Sequence, residues 1–310
     1  KPIRVKEWIR KYAGRRYGTE HQAAQEAWAL LLRDGYDRPR GDVLFDARPA
    51  LHVEKGNAWI ELAGADEANL FFPIWGKLLE AGKEAGNSDG YRFDLVDVGR
   101  QALGALALPV YRRMTAAYFA KNAACFEEAA ANLVKLMEDS DELTGYRDEF
   151  RLDRWIGDAR HWGKTAALKD YYEYNARMQI TLWGPENDPQ PLLDYCCREW
   201  NGLIREYYLP RWKLFIGMLR EKMAAGEAFD DAGVEKSLGR PALKANAFYQ
   251  KMFEGEQAFV RHCSGDERTA TEVDLLEAAT RLHAYYETRR HDWVEEYAET
   301  GRHGRNEMLG

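Results

Sequence analysis

The stretch from Tyr174 to Trp212 constrains the fold of this 310-residue chain more than any other part of the sequence. A long helical pattern runs into Trp183 and stops at Gly184-Pro185, because glycine ends helices and proline cannot continue them. A short loop rich in Asn, Asp and Pro follows, and a second helix is predicted to open at Leu192. Aromatic and aliphatic side chains at the mouth of this loop either pack between two antiparallel helices or line a ligand site.

Apolar residues recur at i, i+3 and i+4 in almost every other periodic segment, which is the spacing of an amphipathic helix. Pro109 either kinks one long helix or separates two. Alternation compatible with a strand occurs only at 43–45 and 59–62, and no fixed-period repeat is present. The predicted helices are 6–17, one N-capped by Thr19, 66–81, 91–108, 110–120, 126–138, 152–162, 168–183, 192–208, 211–225, 242–263 and 271–297.

This pattern predicts an all-α, multi-helix bundle over residues 1–300, followed by a frayed tail at 301–310. Proline and glycine predict an irregular connection at 38–54, and glycine, serine and charged residues predict a mobile loop at 82–90. Pro73 is expected in the first turn of its helix or at a kink.

The net charge of −7 argues against a nucleic-acid partner, which would favour a basic surface. No apolar run approaches the roughly 20 residues that span a bilayer, so no membrane association is expected. No signal peptide is recognisable. Because the chain starts at Lys1, we expect a processed or truncated product whose N-terminus does not reveal its compartment.

The four cysteines, Cys125, Cys196, Cys197 and Cys263, have no metal-ligand spacing and are predicted to be buried free thiols. Asp158 and His161 form one acidic-x-x-His motif, whereas a di-iron bundle needs two such motifs and further glutamates. The charged tract from His283 to His291 is typical of a solvated helix surface. With no nucleotide-binding or hydrolase motif either, neither a metal nor a cofactor is expected.

Glycoside hydrolysis usually requires two carboxyl groups, about 5–5.5 Å apart for retention or 6.5–9.5 Å for inversion. An all-α hydrolase could place such a pair within its own bundle. Acidic residues are numerous, and their spacing singles out no pair. The candidates near the central stretch are Asp153, Asp158, Glu186, Asp188, Asp194 and Glu199.

The central stretch resembles the C-terminal helical domain of glycoside hydrolase family 89, the α-N-acetylglucosaminidases. The tryptophan-glycine-proline-glutamate block is the most specific part of this resemblance, which covers nearly the whole chain. The similar residues in this stretch are 174–175, 177, 179, 181–186, 193–195, 207–208 and 210–212. Further similar residues are Trp8, 12–18, 91–101, 150–155 and 256–260.

The resemblance implies a domain that packs beside a (β/α)8 barrel, which carries both catalytic glutamates. This chain would then contain no catalytic residue of a retaining enzyme that removes terminal α-linked N-acetylglucosamine from glycans. It would be secreted, periplasmic or lysosomal.

By the same resemblance, Trp183, Leu192 and Tyr195 line the sugar pocket, with Leu192 and Tyr195 sharing a helix face at i, i+3. Aromatic rings suit the C–H face of a pyranose. Glu186 is interpreted as structural, and Arg177 as paired within the helix layer.

Two alternatives to such a domain remain open at this point. One is a stand-alone helical binding or scaffold module that acts on a protein partner, and the other is an autonomous all-α glycosidase. A deep central acidic cleft would favour the autonomous enzyme. An exposed apolar face of about 600–1,500 Å² would favour a domain that packs against another.

Overall fold

The computed structural model describes residues 2–36, 42–51, 53, 62–184, 194–230, 247–263 and 274–307. Within these ranges the chain forms helices and no named strand, which confirms the all-α fold. The helices are α1 (Val5–Tyr17), α2 (Gln22–Leu30), α3 (Ala65–Glu80), α4 (Gly82–Ala85), α5 (Asp89–Phe119), α6 (Ala123–Thr144), α7 (Leu152–His161), α8 (Ala166–Ile180), α9 (Leu209–Ala225), α10 (Ala247–Arg261) and α11 (Leu275–Glu307).

The 31-residue helix α5 forms the centre of the bundle and packs against α3, α6 and α11. It is buried around most of its circumference, and a helix that is apolar on all sides is expected to be central. Pro109 lies inside it and is buried, so the single-helix alternative is correct. A Cβ atom added at Gly99 would lie 2.7 Å from the Trp75 ring and 2.8 Å from Leu143. Glycine therefore allows α3 and α6 to approach α5 closely at this position.

Side-chain caps set the starts of several helices. The His21 ring accepts a hydrogen bond from the Ala23 N–H at 3.2 Å, so the prediction of Thr19 as N-cap is wrong. Asn122 and Thr165 cap α6 and α8 in the same way. These caps satisfy backbone N–H groups that have no partner within the helix.

Several predicted boundaries are wrong where tertiary contacts override local pattern. The segment 82–90 contains the short helix α4, and 43–45 overlaps a 3-10 turn at Leu44–Asp46 rather than a strand. Pro73 lies in the interior of α3.

The second half of the chain differs from the prediction at two more helix boundaries. The predicted helices 192–208 and 211–225 are not separated at Pro210, because this residue lies in the first turn of α9, which continues from a π-helical turn at Ile204–Tyr208. Helix α11 extends to Glu307, into the segment predicted as a frayed tail.

Within the described ranges, no helix combines the length and the apolar character that a membrane crossing needs.

Candidate functional site

The candidate site begins at the C-terminus of α8, which ends three residues before Trp183. The Trp183 N–H donates to the Met178 carbonyl at 2.9 Å, and the Thr181 hydroxyl donates to the Arg177 carbonyl at 2.6 Å. Trp183 has φ +50°, a left-handed conformation that bulky residues rarely adopt. Leu182 is buried in the core, whereas Trp183 is half-buried. The predicted helix 168–183 is therefore too long at its C-terminus, and its last residue belongs to a turn.

The other side of the candidate site is formed by a turn at 194–197. The sequence predicted a helix from Leu192 in this place. The Asp194 N–H donates to the Thr181 carbonyl at 2.8 Å, and the Cys197 N–H donates to the Asp194 carbonyl at 3.1 Å. Asp194 and Cys197 both have positive φ, at +60° and +43°. Residues 197–200 have no helical structure, so the predicted helix 192–208 is wrong for residues 194–202.

The two turns bring the rings of Trp183 and Tyr195 together. Their centroids are 5.7 Å apart and their planes are inclined by 56°, within the range of attractive aromatic pairs. Tyr195 is 66% exposed, so the pair presents ring surface to solvent. Leu192 and Glu186 lie outside the described residues. The predicted i, i+3 relation with Leu192 is not the reason for the position of Tyr195, because Tyr195 is not helical.

A buried ionic network restrains the turn that carries Tyr195. Arg211 on α9 donates to Asp194 at 2.5 Å, to Glu256 on α10 at 3.2 Å and to the Asp46 backbone carbonyl at 3.1 Å. Arg48 donates to the other oxygen of Glu256 at 2.8 Å. Two guanidinium and two carboxylate groups therefore neutralise each other in the interior, as buried charges require.

Aromatic rings enclose the central cation of this network. The guanidinium carbon of Arg211 lies 4.6 Å from the Tyr207 ring centroid and 5.0 Å from that of Tyr208. Both tyrosines are fully buried. Cation–π contact and the two carboxylates thus fix the guanidinium, and through it the Asp194 backbone.

A second acidic group lies beside this network. Asp46 is 4% exposed and faces Glu199, and its oxygens accept no hydrogen bond within the described part of the chain. Burial raises the pKa of Asp46 well above its usual value, and the Glu199 charge raises it further. Glu199 is itself bound by Arg100. Burial and the neighbouring carboxyl groups therefore both disfavour a negative charge on Asp46.

These acidic residues do not form an open cleft of the kind expected for an autonomous hydrolase. Asp46, Asp194 and Glu199 are all buried, and the last two are paired with arginine. Burial raises the pKa of Asp194, and the Arg211 charge opposes this rise. The cluster therefore acts as structural support for the turns that carry the aromatic pair.

All four cysteines are free, but Cys263 is exposed and the other three are only partly buried, so the prediction of burial is wrong in degree. Burial raises the pKa of the Cys197 thiol, and the carboxyl groups of Asp46 and Asp42 raise it further. A protonated thiol is a poor nucleophile and a poor metal ligand. Asp158 pairs with Arg154 at 2.8 Å. The described residues include no cluster of three or more metal-binding side chains.

The sequence indicated Trp183 and Tyr195, but it did not indicate the buried ion pairs that restrain the Tyr195 turn. Arg177 does pair within the helix layer as predicted, donating to Glu173 at 2.9 Å. Arg211 and Glu256 stand in blocks that carry the resemblance, yet no pattern indicated that they meet. Their separation of 45 residues makes the contact non-local.

Comparisons with known proteins agree with this architecture. Residues 8–285 match the family model described as alpha-N-acetylglucosaminidase (NAGLU) C-terminal domain. The human alpha-N-acetylglucosaminidase is 33% identical over 260 residues, which cover 82% of this chain and 32% of that protein.

Solved structures of a family 89 glycoside hydrolase from Clostridium perfringens are also similar. One, in complex with 2-acetamido-1,2-dideoxynojirimycin, has a TM-score of 0.75 and 26% identity over 90% of this chain and 31% of that one. Another, a doubly substituted variant in complex with GlcNAc-alpha-1,4-galactose, has a TM-score of 0.74 and 25% identity with the same coverage. The chain spans about a third of the length of these relatives, and it belongs to the family of α-N-acetylglucosaminidase C-terminal domains.

Proposed function

We propose that this domain completes the substrate pocket of a retaining α-N-acetylglucosaminidase, which removes terminal α-linked N-acetylglucosamine from glycans. The catalytic carboxyl groups belong to the (β/α)8 barrel of the same enzyme, and this domain contributes Trp183, Leu192 and Tyr195. Two relatives support the substrate class, since one is named for this activity and another was solved with an α-linked N-acetylglucosaminide.

The observation that carries the proposal is the contact between Trp183 and Tyr195. Sequence separates these residues by twelve positions, yet their rings meet at 5.7 Å on a surface that remains partly exposed. A core pair would be covered on all sides by this chain. An aromatic surface can stack on the apolar face of a sugar, and a tyrosine hydroxyl can bond a sugar hydroxyl or the N-acetyl group.

The rigidity of the surrounding turns supports the same proposal. Three residues in this small region adopt left-handed backbone conformations, which cost free energy and persist only where their surroundings enforce them. The ion pair of Arg211 and Asp194 is one such restraint. A preformed aromatic surface loses little entropy when a sugar binds.

Hydrolysis of an aryl α-N-acetylglucosaminide tests the proposal. The complete enzyme, in which this domain is joined to its barrel, should cleave the substrate, and the 310-residue chain alone should not. The first product should be the α-anomer, as retention requires, and NMR detects it before mutarotation. Turnover by the repurified chain alone would establish an autonomous all-α glycosidase. A complete enzyme with no turnover would leave only a binding or scaffold role.

A further inference from the structure

A groove of about 810 Å³ lies apart from the aromatic pair, between the start of α5, the connection at 146–151 and helix α7. Two tryptophans line it, Trp155 on α7 and Trp200 in the irregular segment 197–200. Its volume is within the range of small-molecule sites. None of the residues discussed above as pocket residues lines it.

The tryptophans form a fixed corner in this groove. Their ring centroids are 5.9 Å apart with planes inclined by 56°, and both residues are half-buried. The Trp155 indole N–H donates to the Ala176 carbonyl at 3.0 Å, which fixes its orientation against α8. A half-buried indole held in this way offers one face for stacking.

The backbone beside each tryptophan is fixed as well. The Leu152 N–H donates to the Asn201 carbonyl at 2.9 Å, and the Asn201 N–H donates to the Phe150 carbonyl at 2.8 Å. The Asn201 side chain donates to Asp141 on α6. These bonds join the chain beside Trp200 to the start of α7, and they fix the backbone on which both rings stand.

The polar lining of the groove carries no net charge. It contains four arginines and four carboxylates, and several of these pair with one another, as Arg147 does with Asp89 at 2.6 Å and Arg154 with Asp158 at 2.8 Å. Paired guanidinium and carboxylate groups can still donate to or accept from a ligand, and a lining with balanced charges gives an ion little net attraction. This lining suits a neutral polyhydroxylated ligand better than an anionic one.

The groove is close to the candidate sugar pocket along the chain. Five peptide steps separate Tyr195 from Trp200, which limits the distance between their Cα atoms to about 18 Å. Ala176, which holds Trp155, lies four residues before the end of α8, or about 6 Å of helix. A short oligosaccharide whose terminal sugar contacts Trp183 and Tyr195 has a length comparable with this separation.

We propose that the groove lined by Trp155 and Trp200 is a binding site for neutral sugar units beyond the terminal N-acetylglucosamine. The inference rests on the proposed function, because the terminal sugar defines which end of the glycan approaches the groove. It makes the domain a determinant of glycan length as well as a wall of the pocket.

Two substrates of the complete enzyme test this inference. One is an aryl α-N-acetylglucosaminide, which is too short to reach the groove, and the other is a neutral oligosaccharide with a terminal α-linked N-acetylglucosamine. Trp200→Ala should lower kcat/KM for the oligosaccharide roughly ten-fold, as expected when one aromatic stacking contact is lost, and change the aryl substrate less than about two-fold. Trp200→Phe keeps a ring and should restore most of the oligosaccharide activity.

Trp162→Ala is the matched control, because Trp162 is 77% exposed and does not line the groove. It should change neither substrate. Should Trp200→Ala fail to fold, Asp158→Ala carries the same comparison, since Asp158 is exposed at the edge of the groove.

Equal losses on both substrates, or no loss on either, would overturn the inference and would mean that the barrel or another surface covers the groove. Activity of the unsubstituted enzyme separates the two proposals. If it cleaves neither substrate, the proposed function is wrong. If it cleaves both and Trp200→Ala behaves like the unsubstituted enzyme, only the groove proposal is wrong.

Discussion

Arg211 donates a hydrogen bond of 2.5 Å to the carboxylate of Asp194, the residue immediately before Tyr195 in its turn. Both side chains are buried, and each side of the pair belongs to a different part of the chain. Packing of α9 is thereby linked to the position of an exposed aromatic residue. Arg48 and Glu256 add one charge of each sign to the same network, so the loss of any single member leaves an unbalanced buried charge.

Loss of one charge from this network should destabilise the domain. Asp194→Ala leaves two buried arginines with one carboxylate and should lower the free energy of unfolding by about 3–5 kcal/mol. Asp194→Asn should cost less, about 1.5–3 kcal/mol, because asparagine tolerates the left-handed backbone and keeps an acceptor. Denaturant unfolding of the 310-residue chain measures both values.

The exposed ion pair of Lys213 and Glu138 provides the control for these two variants. Its side chains are half exposed and 3.0 Å apart. Glu138→Gln should change stability by less than about 1 kcal/mol, because solvent screens the pair. Similar losses for Glu138→Gln and Asp194→Asn would show that the buried network has no special role in stability.

Asp46→Asn should stabilise the domain in a manner that depends on pH. The folded-state pKa of Asp46 is raised, so its contribution to stability is fully present below the unfolded pKa of about 3.9 and is lost as pH rises through the folded value. The variant should match the unsubstituted chain near pH 3–4 and exceed it by an amount that grows as pH rises toward neutrality. Thermal unfolding from acid to neutral pH measures the difference. A pH-independent difference, or one of opposite sign, would contradict the raised pKa.

Gly99 and Gly217 form a matched pair for the packing of the bundle. A Cβ at Gly99 would enter space occupied by Trp75 and Leu143, so Gly99→Ala should cost about 1–3 kcal/mol. Nothing lies within 4 Å of a Cβ at Gly217 in α9, and Gly217→Ala should stabilise by about 0.5–1 kcal/mol through helix propensity. Melting temperatures that shift in the same direction for both variants would contradict the close approach at Gly99.

Local pattern predicted most of the helices but not the ends that build the site. Apolar residues at i, i+3 and i+4 predicted the helical segments that became α5 and α6. It extended α8 to Trp183 because leucine and tryptophan continue the pattern, whereas Thr181 leaves helical backbone geometry, with its hydroxyl bonded to the Arg177 carbonyl. Tertiary hydrogen bonds, such as that from Asp194 to the Thr181 carbonyl, decide such an end.

Only the aromatic residues of the candidate site were indicated by the sequence. Trp183 and Tyr195 were identified by resemblance, and the structure brings their rings to 5.7 Å, while their role in sugar binding stays a prediction. The contact between Asp46 and Glu199 joins residues more than 150 positions apart, and nothing in a single sequence indicates such a pairing. Buried charge networks of this kind depend on the packed fold and not on spacing.

Trp183→Ala in the complete enzyme tests whether the aromatic pair binds the sugar. If the indole lines the pocket, its loss removes apolar contact worth about 1.5–3 kcal/mol, and kcat/KM should fall roughly ten- to a hundred-fold. Tyr195→Phe should cost less, about 0.5–1.5 kcal/mol, since only one neutral hydrogen bond is lost. Trp162→Ala is the control, because Trp162 lies in the connection that precedes α8, whereas Trp183 follows the other end of this helix, about 22 Å away along its axis.

Kinetics and thermal stability of Trp183→Ala must be measured on the same preparation, because the residue is half-buried. A pocket role predicts loss of kcat/KM per folded molecule with a melting temperature close to that of the unsubstituted enzyme. A core role predicts the reverse, a lower melting temperature with normal kcat/KM in the folded fraction. The second result would remove Trp183 from the proposed pocket and leave its contact with Tyr195 as a packing contact.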